Sequence, residues 1–164
     1  MSNVQQTVEA HYERALSLAR RNLVSLPFAK GSAEKVRGLG GWVFEQVLHG
    51  LLQQEMKLRS LKPEIKQQVP IGGRATVDLV IGRAAIEVKV SGSYEDVRAR
   101  YGDYRKRIEK LGWVYLYVTL YETYEPNVRA AKQIFGRNRV FILDRTADWE
   151  KLVSTVAFLQ KRVP

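Results

Sequence analysis

A chain of 164 residues, 45% apolar and 27% charged, suits one folded domain with a substantial core, and excludes a disordered, collagenous or low-complexity protein. Twenty-seven Lys and Arg against 17 Asp and Glu leave a net charge of +10, spread along the chain rather than gathered in a tail, so a polyanionic partner is expected, nucleic acid first. With no cysteine and only His11 and His49 as imidazoles, disulfides, thiolate metal sites and cysteine nucleophiles are excluded, and any metal needs oxygen ligands, which favours Mg²⁺ or Mn²⁺ over Zn²⁺.

In chain order, residues 3–21 place Val8, Tyr12, Ala15, Leu16 and Ala19 at helical spacing. This stretch carries acids and has no long apolar run, unlike a signal peptide or a membrane span, so a cytoplasmic protein without membrane contact is expected. "SLPFAKGS" breaks the pattern with Pro27 and Gly31. A longer helix is expected from about Ser32 to Arg59, interrupted or restarted at "GLGG". Past Pro63 come three β-rich runs, "EIKQQVP", "RATVDLVI" and "AAIEVKV", separated by Gly72-Gly73 and Gly82-Arg83, which read as a three-stranded meander. Tyr94, Val97, Tyr101, Tyr104, Ile108 and Leu111 then mark an amphipathic helix closed by Gly112, and "WVYLYVTL" is a buried strand. A helix over 126–135, a strand "RVFILD" over 139–144 and a helix over 147–161 complete a single α/β domain spanning 1–164, without repeat or linker. "GLGG" is no dinucleotide fingerprint, because no strand precedes it and the spacing differs; phosphate loops, zinc helices and nucleophile elbows have no match either.

The stretch "VDLVIGRAAIEVKV" sets Asp78, Glu87 and Lys89 among Val, Leu, Ile and Ala. If Gly82-Arg83 is a two-residue hairpin turn, Ile81 faces Ala84, Leu79 faces Ile86, Asp78 faces Glu87 and Thr76 faces Lys89. Alternation then puts the three charges on one face. Opposed Cβ atoms lie roughly 5 Å apart, where two carboxylates repel by about 3 kcal/mol at an effective dielectric near 20. A cation between them relieves this. The plainer reading is a weak, solvated ion pair of Lys89 with one of the acids; the apolar residues around the charges speak against it. If Gly72-Gly73 is likewise a two-residue turn, Gln67 lies opposite Asp78 and supports the site from behind.

Asp78, an eight-residue gap and Glu87-Val88-Lys89 resemble the active-site signature of the PD-(D/E)XK nuclease superfamily, which includes restriction endonucleases, Holliday-junction resolvases and many repair nucleases. The order helix, meander, helix, strand over residues 37–120 is similar to that superfamily's core. The resemblance implies a restriction endonuclease-like fold: a mixed central sheet (αβββαβ) flanked by helices, an extra N-terminal helix over 3–21 and a C-terminal αβα extension over 126–161. Val77 stands where the name-giving Pro would be, and the helix after the motif has Tyr101, Tyr104 and Arg105 in place of the Gln-x-x-x-Tyr of exonuclease-like relatives.

The resemblance implies that Asp78 and Glu87, with the main-chain carbonyl of Val88, hold Mg²⁺ or Mn²⁺, and that Lys89 acts beside the metal-bound water. Glu45, in "GWVFEQVLHG", is the candidate for the acid many members add from the preceding helix, directly or through water; Glu34 is the poorer alternative. Arg98, Tyr101, Arg105, Arg137 and Arg139 are candidates for contact with the DNA backbone, Tyr101 and Tyr104 being core residues by default. His49 reads as a surface or packed histidine before a general base. The implied function is a metal-dependent DNA endonuclease or junction resolvase, possible as a homodimer because cutting two strands takes two sites. The alternatives are a catalytically silent nucleic-acid-binding module of the same fold and, less in keeping with the charge, a hydrolase of a small phosphorylated substrate.

Overall fold

The computed structural model describes residues 4–25, 38–91, 97–121 and 125–161. Among them are five helices, α1 (Val4–Ser25), α2 (Leu39–Leu58), α3 (Val97–Lys110), α4 (Glu125–Phe135) and α5 (Thr146–Lys161), with a 3₁₀ turn at Arg137–Arg139. Five strands, β1 (Ile65–Gly72), β2 (Ala75–Ile81), β3 (Ala84–Lys89), β4 (Val114–Thr119) and β5 (Val140–Ile142), form one open sheet in chain order. The β1–β2 and β2–β3 pairs are antiparallel, β3–β4 and β4–β5 parallel, so the expected α/β class with a mixed sheet is observed. The expected first part of the second helix, from Ser32, and Glu34 with it, lie outside the described residues. None of the described helices is long and apolar enough to cross a membrane.

Two short turns make the meander possible, and two helical crossovers make the parallel half. β3 is central and buried on both faces, which is why "AAIEVK" lacks the polar alternation of a half-exposed strand. One face carries Leu79, Ile81, Ile86, Leu116 and Val118, covered by α2 and α5 through Phe44, Leu48, Leu52, Leu152 and Val156, with α1 packed on those helices through Val8, Tyr12 and Leu16. These helix residues recur every three to four positions, so each helix buries one stripe. The other face carries Ala85, Tyr115 and Tyr117, covered by α3 and α4 through Tyr101, Ile108, Ala131 and Phe135. α3 ends where expected: the Trp113 N–H donates to the Ile108 carbonyl at 3.2 Å and the Gly112 N–H to that of Glu109 at 3.0 Å.

β2 belongs to both faces. Leu79 and Ile81 lie in the first core, whereas Ala75 and Val77, of the same strand parity, lie in the second with Ile71. The strand therefore turns about its own axis between Val77 and Leu79, and the β1–β2 hairpin curls over α3. Arg107 of α3 fastens it there, its Nη1 donating to the Gly72 carbonyl at 2.6 Å. Asp78 sits at the turning point.

Candidate functional site

The β2–β3 ladder has the expected register from the turn, Ile81 with Ala84, Val80 with Ala85 and Leu79 with Ile86, and stops there, so the expected pairs of Asp78 with Glu87 and of Thr76 with Lys89 are not formed. Beyond it Asp78 takes over a main-chain role: its Oδ2 accepts the Val88 N–H at 2.7 Å. A carboxylate in place of a ladder carbonyl holds the two strands together while leaving room between them.

Glu87 is only 4% exposed. Its Oε1 lies 2.8 Å from Lys89 Nζ, and its Oε2 accepts the Tyr115 hydroxyl at 3.0 Å. Lys89 Nζ in turn sits 5.8 Å from the centroid of the Tyr101 ring. The Lys89–Glu87 pair thus exists, but with its acid buried rather than on a solvated face. Burial pushes the Glu87 carboxyl up from its ordinary range, and the nearby charge of Asp78 pushes it further; Lys89 and Tyr115 offset part of this.

Glu45, half-buried on α2, joins through an amide. Gln68 Nε2 donates to Glu45 Oε1 at 2.7 Å and to Asp78 Oδ1 at 3.2 Å, while its own Oε1 accepts the Thr76 hydroxyl at 3.2 Å. The Glu45 carboxyl is also raised, first by burial and further by Asp78 and Glu87, with Gln68 and Lys89 acting the other way. Four charged groups from α2, β2 and β3 therefore share one electrostatic neighbourhood.

The supporting residue expected at Gln67 is Gln68. The turn falls at Gly73-Arg74 and a bulge lies between Pro70 and Gly72, so Gln67 pairs with Leu79. A one-residue slip exchanges the faces of a strand. Gln68 itself has φ +49°, a left-handed conformation that is costly away from Gly and Asn.

Three candidates for DNA contact are used otherwise. Tyr101 is 2% exposed and packs against Tyr104, Tyr115, Tyr117 and Phe135, because its helix stripe faces the sheet. Arg105 is spent on the protein, its Nε donating to Glu109 at 2.7 Å and its Nη1 to the Ile134 carbonyl at 2.5 Å. Arg98 is exposed but bridges α3 to α4 through Gln133, at 2.5 Å. Arg137 is exposed and Arg139 half-buried, both beyond α4 on the far side of β4. Sequence reasoning missed Gln68, Thr76 and Tyr115. The tandem Gln67-Gln68 was the available signal for the first, and Tyr115, one residue into "VYLYVT", differs from a packing tyrosine only in where its hydroxyl ends.

Asp78 and Glu87 are hard oxygen donors whose charges oppose each other, so a divalent cation suits them chemically. No group of three or more His, Asp or Glu among the described residues is placed to hold a metal ion. Mg²⁺ needs no such cage, since it commonly takes one or two carboxylates and fills its octahedron with water and substrate phosphate. Compared with family models, curated proteins and solved structures, the chain matches none.

Proposed function

We propose that this chain is a metal-dependent nuclease hydrolysing phosphodiester bonds in DNA, of endonuclease or junction-resolvase type, on a restriction endonuclease-like core made by α2, the β1–β2–β3 meander, α3 and β4. The observation that carries the reading is the break between β2 and β3. There Asp78 leaves the ladder to bind the Val88 N–H, beside a buried Glu87 paired with Lys89.

In this reading Asp78 and Glu87, with the Val88 carbonyl, hold Mg²⁺ or Mn²⁺, and Glu45 assists through water. The ion supplies Lewis-acid activation of a water and of the phosphate. Gln68 keeps the Glu45 and Asp78 carboxylates from turning away from each other. Tyr115 fixes one Glu87 oxygen, so the other is shared with Lys89. Lys89 brings a positive charge against the growing negative charge of the phosphate, its ammonium 5.8 Å from the centre of the Tyr101 ring, whose face attracts it. Cutting both strands of a duplex requires two such sites, which a homodimer would bring.

Cleavage of labelled duplex, junction, flap and single-stranded DNA tests the proposal. Mg²⁺ or Mn²⁺ should support cutting, EDTA should stop it, and Asp78→Asn and Lys89→Ala should abolish it while leaving the circular dichroism spectrum unchanged. A second reading, a silent DNA-binding module, is favoured by the Glu87–Lys89 pair, which compensates one acid without a metal. It predicts salt-sensitive DNA binding with no cutting, unaffected by either substitution.

A further inference from the structure

At the open edge of the sheet, away from the acidic site, a groove of about 470 Å³ runs along β5 between α4 and α5. Lys132, Arg137, Arg145 and Lys151 line it, with Asp148 as its one acid. A second hollow shares Lys132 and Arg137 and extends the surface to Arg129. Five cations thus line two adjoining hollows, with Glu125 Oε1 3.8 Å from Arg129.

Protection of a sheet edge is the ordinary use of such charge. Here the edge is already short and blunted: β5 has three residues, and the Ile142 N–H is taken by Asp148 Oδ2 at 2.9 Å. Asp148 Oδ1 stands 3.8 Å from Lys151, and four cations to one acid leave the lining positive. The place is suggestive too. Lys89, Thr119 and Ile142 are level across β3, β4 and β5, so the groove's end lies two strand spacings, about 10 Å, from the Lys89 main chain. That is about three base steps along the axis of a duplex, at 3.4 Å each.

We infer that this groove is a second contact for the phosphodiester backbone, gripping the nucleic acid beside the scissile phosphate. The inference deepens the proposed nuclease reading and rests on it. The contact is to phosphates and independent of base sequence, so it sets affinity and substrate length rather than the position of the cut.

The test is binding of a labelled 20-nucleotide DNA, single-stranded or duplex, to the full chain in EDTA at several salt concentrations. Lys132→Gln/Arg137→Gln/Lys151→Gln is compared with Lys57→Gln/Lys106→Gln/Lys110→Gln, which removes equal charge from exposed positions elsewhere. The groove variant should bind about tenfold or more weaker than this control, with a log–log salt slope shallower by about 2–3. Equal affinities for the two variants would overturn the groove while leaving the nuclease proposal standing. So would a mononucleotide bound as tightly as the oligonucleotide. Wild-type protein that binds no DNA would sink both. Groove-variant weakness together with metal-dependent cutting by wild type supports both.

Discussion

The two hairpins of the meander share β2 and are built differently. At Gly82 a φ of +56° and a close approach to α5 define the turn: a Cβ there would stand 2.9 Å from Gln160 Cα and 3.3 Å from the Leu159 carbonyl oxygen. At Gly73, φ is +61°, but a Cβ would meet only the flexible tip of Arg107, at 3.4 Å. The first hairpin is locked to the protein at its turn by backbone contact, and its ladder is regular through Leu79 and Ile86, where it stops. The second is tied at its turn by the Arg107 side chain, carries a bulge and curls over α3. A regular turn and a bulged one meet on β2 where its ladder with β3 ends, next to Asp78.

Substituting the turn glycines tests this contrast most strongly. Gly82→Ala should cost about 2–4 kcal/mol in urea or thermal unfolding, combining strain with a forced shift of α5. Gly73→Ala should cost about 1 kcal/mol, the conformational part alone. Equal costs would remove the distinction between the hairpins.

The bulge has its own consequence at the site. Gln68→Ala should lower metal-dependent cutting by roughly 10–100-fold, the usual loss when a group that orients a metal ligand is removed. Gln67→Ala, one residue away in the same strand, should leave it unchanged. The reverse result would restore the register without a bulge.

A smaller effect comes from the buried acid. The folded protein holds Glu87 above the ordinary carboxylate range of 4.5, so this group favours the fold below that range and loses its contribution as pH rises through the raised value. Glu87→Gln keeps an acceptor for Tyr115 and does not titrate. Without metal, its Tm should therefore gain on that of wild type as pH rises from about 4.5 to 8. Parallel curves would mean that Glu87 ionises in the folded state without penalty.

How far the sequence determines these features varies by residue. The β2–β3 register was readable because Gly-Arg between two apolar runs admits one short turn, and the ladder follows from it. Gly72-Gly73-Arg74 admits more than one turn, and a bulge at Ile71 leaves no mark on the apolar pattern, so the partner of Asp78 was displaced by one. The amphipathic helices and the buried strand were legible from spacing. The destinations of Arg98 and Arg105 were not, since a solvated arginine and one bridging two helices have the same position on a helical wheel. The coming together of Asp78, Glu87 and Lys89 was legible. The means, a carboxylate substituting for a ladder carbonyl, is a tertiary feature with no local signature.

Titration of Mn²⁺ into the protein, followed by calorimetry, tests most directly whether two opposed acids share an ion. Wild type should bind Mn²⁺ at one site per chain, and Asp78→Asn and Glu87→Gln should each remove that binding while the protein stays folded. Binding unchanged by both substitutions, or none by wild type while both acids stay in place, would contradict it.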